Sequence, residues 1–412
     1  MHWLHLFLFW LALVTLLGVL ATCLEFAWGH NKIKALRDLP PLEGSTAPKV
    51  SVIAAGRNEE RNVEEAVRSL LSFDYPNYEV ILVNDRSTDR TGEILDRLAL
   101  ETGDVASVMP AEEFRGTGGT PAPPSQERKL RVVHIQELPA GWLGKNHALQ
   151  QGADTATGDF LLFTDADVVM EPSSLRRAVR FMQETKMDHL AAGPNVNVRG
   201  AWLNIFCGGF AVFFAMFVKP WKVSNPKSKA HIGIGAFNLI RAEVYRKMGA
   251  HRAIAMRVDD DLKLGKLVKK NGFRQDCVAG RGMIFVEWYA SFGDAVRGLT
   301  KNMFAGVEYS VAMVVASTIA MFLLLVFPFA GALITSGWTQ LMFAAAAVAL
   351  WLLACSSAYH NGIRWYYGLG LPLAVVMFLF ILWRSTLVTL KNDGVNWRGT
   401  HYSLSELRAN KV

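Results

Sequence analysis

The chain has 412 residues, 51% of them hydrophobic, a formal net charge of +7 and a mean hydropathy of +0.20, high for a soluble protein. That length allows two or three domains. With no compact basic motif and no interleaved aromatics, the charge points to an anionic membrane face and away from nucleic acid. The four cysteines (Cys23, Cys207, Cys277 and Cys355) are scattered without metal-ligand spacing and read as packing residues in a reducing compartment.

Residues 3–28 form one apolar stretch, interrupted late by Glu25. It exceeds a typical secretory h-region of about 7–15 residues and no basic n-region precedes it, so residues 1–30 are expected to be a membrane helix. Lys32, Lys34 and Arg37 follow closely, which places the next region in the cytosol by the positive-inside rule. Residues 31–47 read as a linker.

Lys49–Ala55 is a strand signal that ends at Gly56-Arg57-Asn58-Glu59-Glu60. Helical spacing follows over 60–72, with Val63, Ala66, Val67, Leu70 and Leu71 on one face. After the turn Tyr75-Pro76-Asn77, Glu79–Val83 is a second strand, ending at Asn84 to Asp89. A helix is expected over 90–102, with Thr88 or Asp89 as its cap. Residues 103–130 break the pattern, and Gly116–Pro124 has the composition of a flexible surface loop. Arg131–Ile135 resumes as a third strand and 145–156 as a helix. A fourth apolar run, Phe160–Phe163, ends in Thr164-Asp165-Ala166-Asp167. Strands alternating with helices imply an α/β domain with a mostly parallel sheet.

In such sheets ligands bind beyond the carboxyl ends of the strands. Asp165 and Asp167 are therefore expected at a crevice, where two neighbouring carboxylates suit a hard divalent ion carrying a diphosphate. Gly233-Ile234-Gly235 lacks the strand–helix context of a dinucleotide fingerprint and reads as a turn.

Residues 201–221, rich in Phe and Trp, are expected to lie in the membrane interface, with Trp202 and Trp221 at headgroup depth. A buried core helix is the alternative. Residues 311–335, 338–358 and 366–390 are each long enough to span a bilayer and make 306–392 a C-terminal membrane region. The piece 366–373, with Gly368, Gly370 and Pro372, is the one most prone to break. Three crossings would put the 393–412 tail outside, whereas Lys391, Arg398, Arg408 and Lys411 favour the inside, so its side stays open.

These motifs, in this order over residues 48–305, resemble a family 2 glycosyltransferase with the nucleotide-sugar-binding GT-A fold. Val50–Glu60 resembles the opening strand and its Asn-Glu turn, and Val80–Asp89 the second strand with its acidic-Ser-Thr-Asp ending. Gly144-Lys145-Asn146-His147-Ala148-Leu149 resembles the family's Gly-Lys helix start, and Thr164–Asp167 its metal motif. Asp260-Asp261-Leu262, eleven residues before Gly272, resembles the acidic pair that carries the base. The apolar segments at both ends are similar to those of members that glycosylate ceramide, hopanoid-type lipids and carotenoids.

The resemblance implies inverting transfer of one sugar from a nucleotide-sugar donor, a UDP-sugar, to a membrane lipid, at a bacterial cytoplasmic membrane with the catalytic domain in the cytosol. By the same resemblance Glu59 and Asp85 lie on the nucleoside, Lys145 on the diphosphate, and Asp165 and Asp167 on Mg²⁺ or Mn²⁺, with Asp165 also near the ribose. Asp261 is the general base with Asp260 beside it, and Arg297 and Lys301 close over the diphosphate or else mark the edge of the next span. His231 is either near the acceptor or structural. Arg57 stands where Tyr is common, Asn84 replaces an acid and Asp260 a Glu. No Gln-x-x-Arg-Trp is present; the corresponding stretch reads Arg297–Asn302, which argues against the rival reading as a processive polysaccharide synthase. A non-catalytic membrane sensor of nucleotide sugars is the other rival, and it would not need the base.

Overall fold

In the computed structural model, which describes residues 2–44, 47–102 and 129–412, the chain falls into two compact units. One comprises Lys34–Asn195, Val223–Val286 and Asn410–Val412; the other comprises Met1–Ile33, Val196–Lys222 and Glu287–Ala409. The Gly116–Pro124 stretch lies outside the described residues.

The first unit is built on strand β1 (Val50–Gly56). Its side chains alternate between two cores, as a period of two demands. Val50, Val52 and Ala54 pack on one face with Val63, Val67 and Leu70 of α2 (Val63–Leu71) and Leu95 and Leu98 of α3 (Thr91–Glu101). Ile53 packs on the other with Ala148, Leu149 and Ala153 of α4 (Gly144–Thr155) and Leu264, Leu267 and Val268 of α8 (Asp260–Lys270). A strand covered on both faces reads as a continuous apolar run, which is why it was visible in the sequence.

Around β1 the strands are β2 (Tyr78–Asp85), β3 (Leu130–Ile135), β4 (Phe160–Asp165), the short β5 (Val169–Met170), β6 (His189–Gly193), the short β7 (Asn195–Val196), β8 (Asn238–Arg241), β9 (Gln275–Ala279) and β10 (Ile284–Val286). The central sheet has seven strands in the order β3-β2-β1-β4-β8-β6-β9. Its pairings are parallel except that β8 runs antiparallel to β4 and β6. Helices α5 (Ser174–Thr185) and α7 (Ala242–Lys247) complete the layers. This is the mainly parallel α/β architecture expected.

Three buried polar groups lock the far side of this sheet. His189 Nε2 lies 3.1 Å from Asn238 Oδ1 and its Nδ1 lies 2.8 Å from Gln275 Nε2. The amide of Gln275 donates to Nδ1, so the ring is neutral with its proton on Nε2. Burial depresses its pKa to about 4.

The last residues belong to this unit as well. Asn410 Oδ1 accepts from the Met256 N–H at 3.2 Å, its Nδ2 donates to the Ala253 carbonyl at 3.3 Å, and its own carbonyl accepts from Arg257 at 3.4 Å.

The second unit holds α1 (His2–His30), α6 (Ala201–Val218), α9 (Phe292–Leu299), α10 (Met303–Gly306) and the long apolar helices. Those are α11 (Val311–Met321), continued through a π-turn at Phe322–Val326 into α12 (Phe327–Ile334), then α13 (Gly337–His360) and α14 (Leu371–Lys391). Hairpin β11 (Gly394–Trp397) and β12 (Thr400–Ser403) and helix α15 (Leu404–Ala409) follow. Trp365–Gly370 forms a separate 3₁₀ turn before α14, so the break expected near Gly368 and Gly370 is present. Among the described residues five helical segments are long and apolar enough to cross a membrane, the second being Ala201–Lys222. Trp3, Leu333 and Trp338 are each more than three-quarters exposed, as lipid-facing side chains would be.

Within this unit Glu25 of α1 is paired rather than isolated. Its carboxylate meets Lys219 at 3.1 Å and Lys222 at 2.5 Å, and accepts from Trp221 Nε1 at 3.3 Å. In sequence β6 and the short β7 precede α6 and β8 follows it; β6 and β8 are hydrogen-bonded neighbours in the first unit, with His189 opposite Ile240.

Candidate active site

The strand order reverses at β1: β2 and β3 lie to one side and β4 to the other. A crevice therefore opens at the carboxyl ends of β1, β2 and β4. Register aligns Ala55 with Asp165 and Gly56 with Asn84, so the acids that end β2 and β4 flank the end of β1.

The loops after β1 and β2 interlock. Asn58 donates its N–H to Ser87 Oγ at 3.0 Å and accepts from the Thr88 N–H at 2.8 Å. The Glu59 N–H donates to Thr91 Oγ1 at 2.8 Å. Asp89 accepts from the Thr91 N–H at 3.0 Å and from the Glu60 N–H at 3.2 Å and so ties the two loops together; the N-cap position of α3 is Arg90, just past the expected Thr88 or Asp89. Asn84 does not face the crevice alone: its amide meets His134 at 3.0 Å, and His134 meets Asp96 at 2.8 Å.

Asp85 is buried at the end of β2 and gripped by its neighbour. Arg86 Nε donates to Oδ1 at 2.8 Å and its terminal nitrogen to Oδ2 at 3.2 Å. Arg86 reaches back this way because its backbone is left-handed, with φ 55°. The pair abuts the start of α4 so tightly that a β-carbon on Gly144 would lie 2.5 Å from Asp85 Oδ2. Arg57, just past β1, buries its Nε without a hydrogen-bond partner.

Lys145 projects from the first turn of α4 into an acidic cluster. Its ammonium is 2.8 Å from Asp165 Oδ1 and 3.4 Å from Asp260 Oδ2. Burial disfavours its charge, but Asp165, Asp260 and Asp261 outweigh that and raise its pKa. The α4 start is anchored through Asn146, whose amide donates to the carbonyls of Ile254, Ala255 and Arg257 at 2.8, 3.1 and 2.9 Å.

The run Asp259-Asp260-Asp261 divides its labour. Asp259 pairs with the buried Arg257 at 3.0 Å and with Lys263 at 3.4 Å. Asp260 faces Lys145; burial, then the charges of Asp261 and Asp165, push its pKa up to about 7 against the pull of Lys145. Asp261 accepts the Gly235 N–H on Oδ2 at 2.9 Å and the Leu262 N–H on Oδ1 at 2.7 Å, and burial raises its pKa also.

Gly235 is the hinge pin of the cluster. Its carbonyl accepts the Asp165 N–H at 3.0 Å, and a β-carbon there would meet Asp165 Oδ2 at 2.7 Å and Lys145 Nζ at 3.5 Å. The Gly233-Ile234-Gly235 turn, as expected, is neither strand nor helix. A small cavity beneath is lined by Lys145, Asp165, Asp260 and Asp261 with Thr164 and His251.

Asp167 is half-buried two residues past Asp165. Burial, then the charges of Asp165 and Glu59, push its pKa up to about 7. Glu59 folds back over Gly56, whose added β-carbon would lie 3.5 Å from Glu59 Cγ and 2.9 Å from Ala166 Cβ. Among the described residues no three His, Cys, Asp or Glu side chains converge to hold a metal by themselves.

The first unit thus gathers Lys145, Asp165, Asp260 and Asp261, with Asp167 and Glu59 close by and Asp85 at the neighbouring strand end. Arg297 and Lys301 belong to the other unit, where Arg297 pairs with Asp294 at 2.5 Å and Lys301 stands 4.2 Å over the Trp397 ring. His231 does not line the cavity; it bonds to the Lys229 carbonyl at 3.0 Å. Sequence reading picked out the small-residue run 233–236 as one that could approach acceptor and sugar, but missed Arg86 and the buried pair Tyr245–His251, joined at 2.7 Å. Only Arg86, adjacent to a nominated acid, carried any local signal.

Residues 48–306 match the family described as glycosyltransferase-like family 2. The 4,4'-diaponeurosporenoate glycosyltransferase of Staphylococcus haemolyticus is 23% identical over 274 residues, 64% of this chain and 63% of that one. A beta-monoglucosyldiacylglycerol synthase of a Nostoc species is 28% identical over 182 residues, 44% of this chain and 32% of its own. The match therefore spans less than two-thirds of either relative. A Pyrobaculum calidifontis mannosyltransferase, solved with GDP-Man and Mn²⁺, superposes with a TM-score of 0.52 at 18% identity, covering 91% of this chain and 99% of that one.

Proposed function

This chain belongs to glycosyltransferase-like family 2 and has the GT-A fold, and from that premise we propose that it moves a single sugar, with inversion, from a UDP-sugar to a membrane lipid. The observation that carries the reading is Lys145 bridging Asp165 and Asp260 at the strand switch point, with Asp261 held across Gly235. One cation and several acids around a crevice suit departure of a diphosphate and activation of a hydroxyl. The lipid acceptor is supported by the names of the two relatives, which act on a carotenoid acid and a diacylglycerol lipid.

In this mechanism Asp85, steadied by Arg86, accepts from the pyrimidine, and Glu59 lines the nucleoside side. Lys145 binds the diphosphate with a point charge at a helix N-terminus. Asp167 and the Asp165 oxygens fit a Mg²⁺ or Mn²⁺ ion: the Asp167 carboxyl is driven towards neutrality by burial beside Asp165 and Glu59, which a cation would reverse. Two protein carboxylates suit an ion that takes its remaining ligands from phosphate and water. When bound, the metal neutralises charge on the leaving diphosphate. Asp261, oriented by two backbone N–H groups, accepts the proton of the attacking hydroxyl, and Asp260 sets its field.

We further propose that residues 48–305 act in the cytosol of a bacterium at its cytoplasmic membrane, between helix 1–30 and the 306–392 region. Because the chain enters α6 from β6 by way of the short β7 and returns to β8, the hydrogen-bonded neighbour of β6, α6 starts and finishes on one side of any bilayer. That supports an interfacial placement for 201–221.

The test is to incubate membranes containing the protein with labelled UDP-, GDP- and other nucleotide sugars and to follow label into extracted lipid. Label on lipid, one sugar per lipid, is expected from a UDP-sugar. Label found only in long polymer, or transfer from a GDP-sugar alone, would overturn the corresponding part of the reading.

A further inference from the structure

The stretch from Val223 to Gly235 joins the end of α6 to β8 and contains Lys227 and Lys229, both exposed, but no carboxylate. It is ordered by its own bonds. Asn225 Oδ1 accepts the Lys227 N–H at 3.0 Å, the Asn225 carbonyl accepts the Ser228 N–H at 3.0 Å, and Ser228 Oγ accepts the Ala230 N–H at 3.1 Å. Lys269 of α8 clamps its beginning, donating to the carbonyls of Val223 at 2.7 Å and Asn225 at 2.9 Å. Its middle also lies along α8, because Lys266, Lys263 and Lys269 all bear electrostatically on His231. At its far end a β-carbon on Gly233 would sit 1.8 Å from the Asp261 carbonyl, and Gly235 donates to the Asp261 side chain.

We propose that Val223–His231, with the carboxyl-terminal half of α8, is a docking surface for the anionic headgroups of the bilayer. This rests on the reading of α6 as membrane-embedded. The occupant follows from position and charge. Val223 is bonded directly to Lys222, the last residue of the apolar Ala201–Lys222 segment, and Lys269 is held on the Val223 carbonyl. Lys227 follows Lys222 by a span of chain that reaches at most about 18 Å, within roughly two Debye lengths of about 8 Å at physiological salt. Between His189 and Val258 the only carboxylate is Glu243. Just before α8, Asp259 is engaged by Arg257 and Lys263, and on β9 Asp276 lies near Lys269, so the exposed Lys227, Lys229 and Lys270 face solvent with little acid beside them. A surface of one sign at the edge of an apolar helix is attracted to acidic lipid, by roughly fivefold per basic residue engaged. The same stretch ends on Asp261, so headgroup binding at one end bears on the carboxylate at the other.

The full chain is placed in nanodiscs of phosphatidylcholine alone and in discs with a third of the lipid replaced by phosphatidylglycerol, and backbone hydrogen exchange of residues 223–231 is measured. Exchange is expected to slow by roughly fivefold or more in the acidic discs, and the difference to vanish in high salt and in Lys227→Glu/Lys229→Glu. Lys227→Arg/Lys229→Arg should keep it. Equal exchange in the two discs, or a difference that survives the double charge reversal, overturns the proposal. Alkaline carbonate extraction separates the premise: release of the protein would sink the membrane reading itself, whereas a retained protein with lipid-independent exchange sinks only the docking surface.

Discussion

The backbone N–H of Gly235 donates to Oδ2 of Asp261 at 2.9 Å, while the Gly235 carbonyl accepts the N–H of Asp165. One residue, through its N–H on one side of the α-carbon and its carbonyl on the other, therefore sets the spacing between the acid nominated as base and the acid nominated for metal and donor. No side chain fits there, since a β-carbon would be 2.7 Å from Asp165 Oδ2.

Gly235→Ala is accordingly expected to lower sugar transfer by roughly 100-fold, the cost typical of a 1 Å misplacement at a reacting centre. Circular dichroism and thermal unfolding of the purified variant should remain close to wild type. Full activity would show that the cluster tolerates a shift of Asp165.

Asp261→Asn should keep donor binding but lose about 10²- to 10⁴-fold in turnover, the usual contribution of a positioned base. Donor affinity by calorimetry and turnover by label transfer together make the measurement. If turnover stays near wild type and Asp260→Asn is the inactive variant, the base is Asp260.

Lys145→Ala removes the cation that bridges Asp165 and Asp260. Loss of charge-assisted contacts to a diphosphate predicts a donor KM roughly 10- to 100-fold higher. Lys145→Arg should recover part of that. An unchanged KM in both variants would remove Lys145 from the diphosphate site.

Chelation should stop transfer, and added Mn²⁺ or Mg²⁺ should restore it. Asp167→Asn should demand roughly tenfold or more metal for the same rate, in line with the sensitivity of metal sites to their supporting groups. Transfer that proceeds at full rate in excess chelator would rule the metal role out.

Acid should weaken the His189 network. The folded pKa, about 4, lies below the unfolded value of about 6.5, so as pH falls the unfolded chain binds the proton first. Stability is lost progressively from pH 6.5 down to about 4 and levels off below, by at most on the order of 3 kcal/mol. Buried acids such as Asp260, with raised pKa values, push the other way over the same range, so the comparison must isolate one group. The stability of wild type relative to His189→Gln should fall across that window; a difference independent of pH would contradict the neutral ring.

The parallel half of the sheet, β1 to β4, was legible because its strands carry apolar runs that end abruptly in polar residues, as at Val83-Asn84-Asp85 and Phe163-Thr164-Asp165, whereas β6, β8 and β9 were not expected. The charged members of the site were legible for the same reason: they follow strands or begin helices. What stayed hidden depends on contacts between distant parts of the chain. Asn146 bonds to carbonyls more than a hundred positions away, and the tightness at Gly233 and Gly235 comes from the Asp261 backbone of α8 and from the Asp165 and Lys145 side chains. Neither periodicity nor composition registers such close approaches. The left-handed backbone of Arg86 was equally hidden: its place beside Asp85 was visible, but nothing in its neighbours demands φ 55°.

Asn410, hydrogen-bonded to Ala253 and Met256, fixes a parity. In a bilayer, residues 286 and 410 must then lie in the same compartment, so the chain between them crosses an even number of times. Three helices there, Val311–Ile334, Gly337–His360 and Trp365–Lys391, are long enough to cross. Were all three to enter a bilayer, an even count would leave at least one of them entering and leaving by the same face.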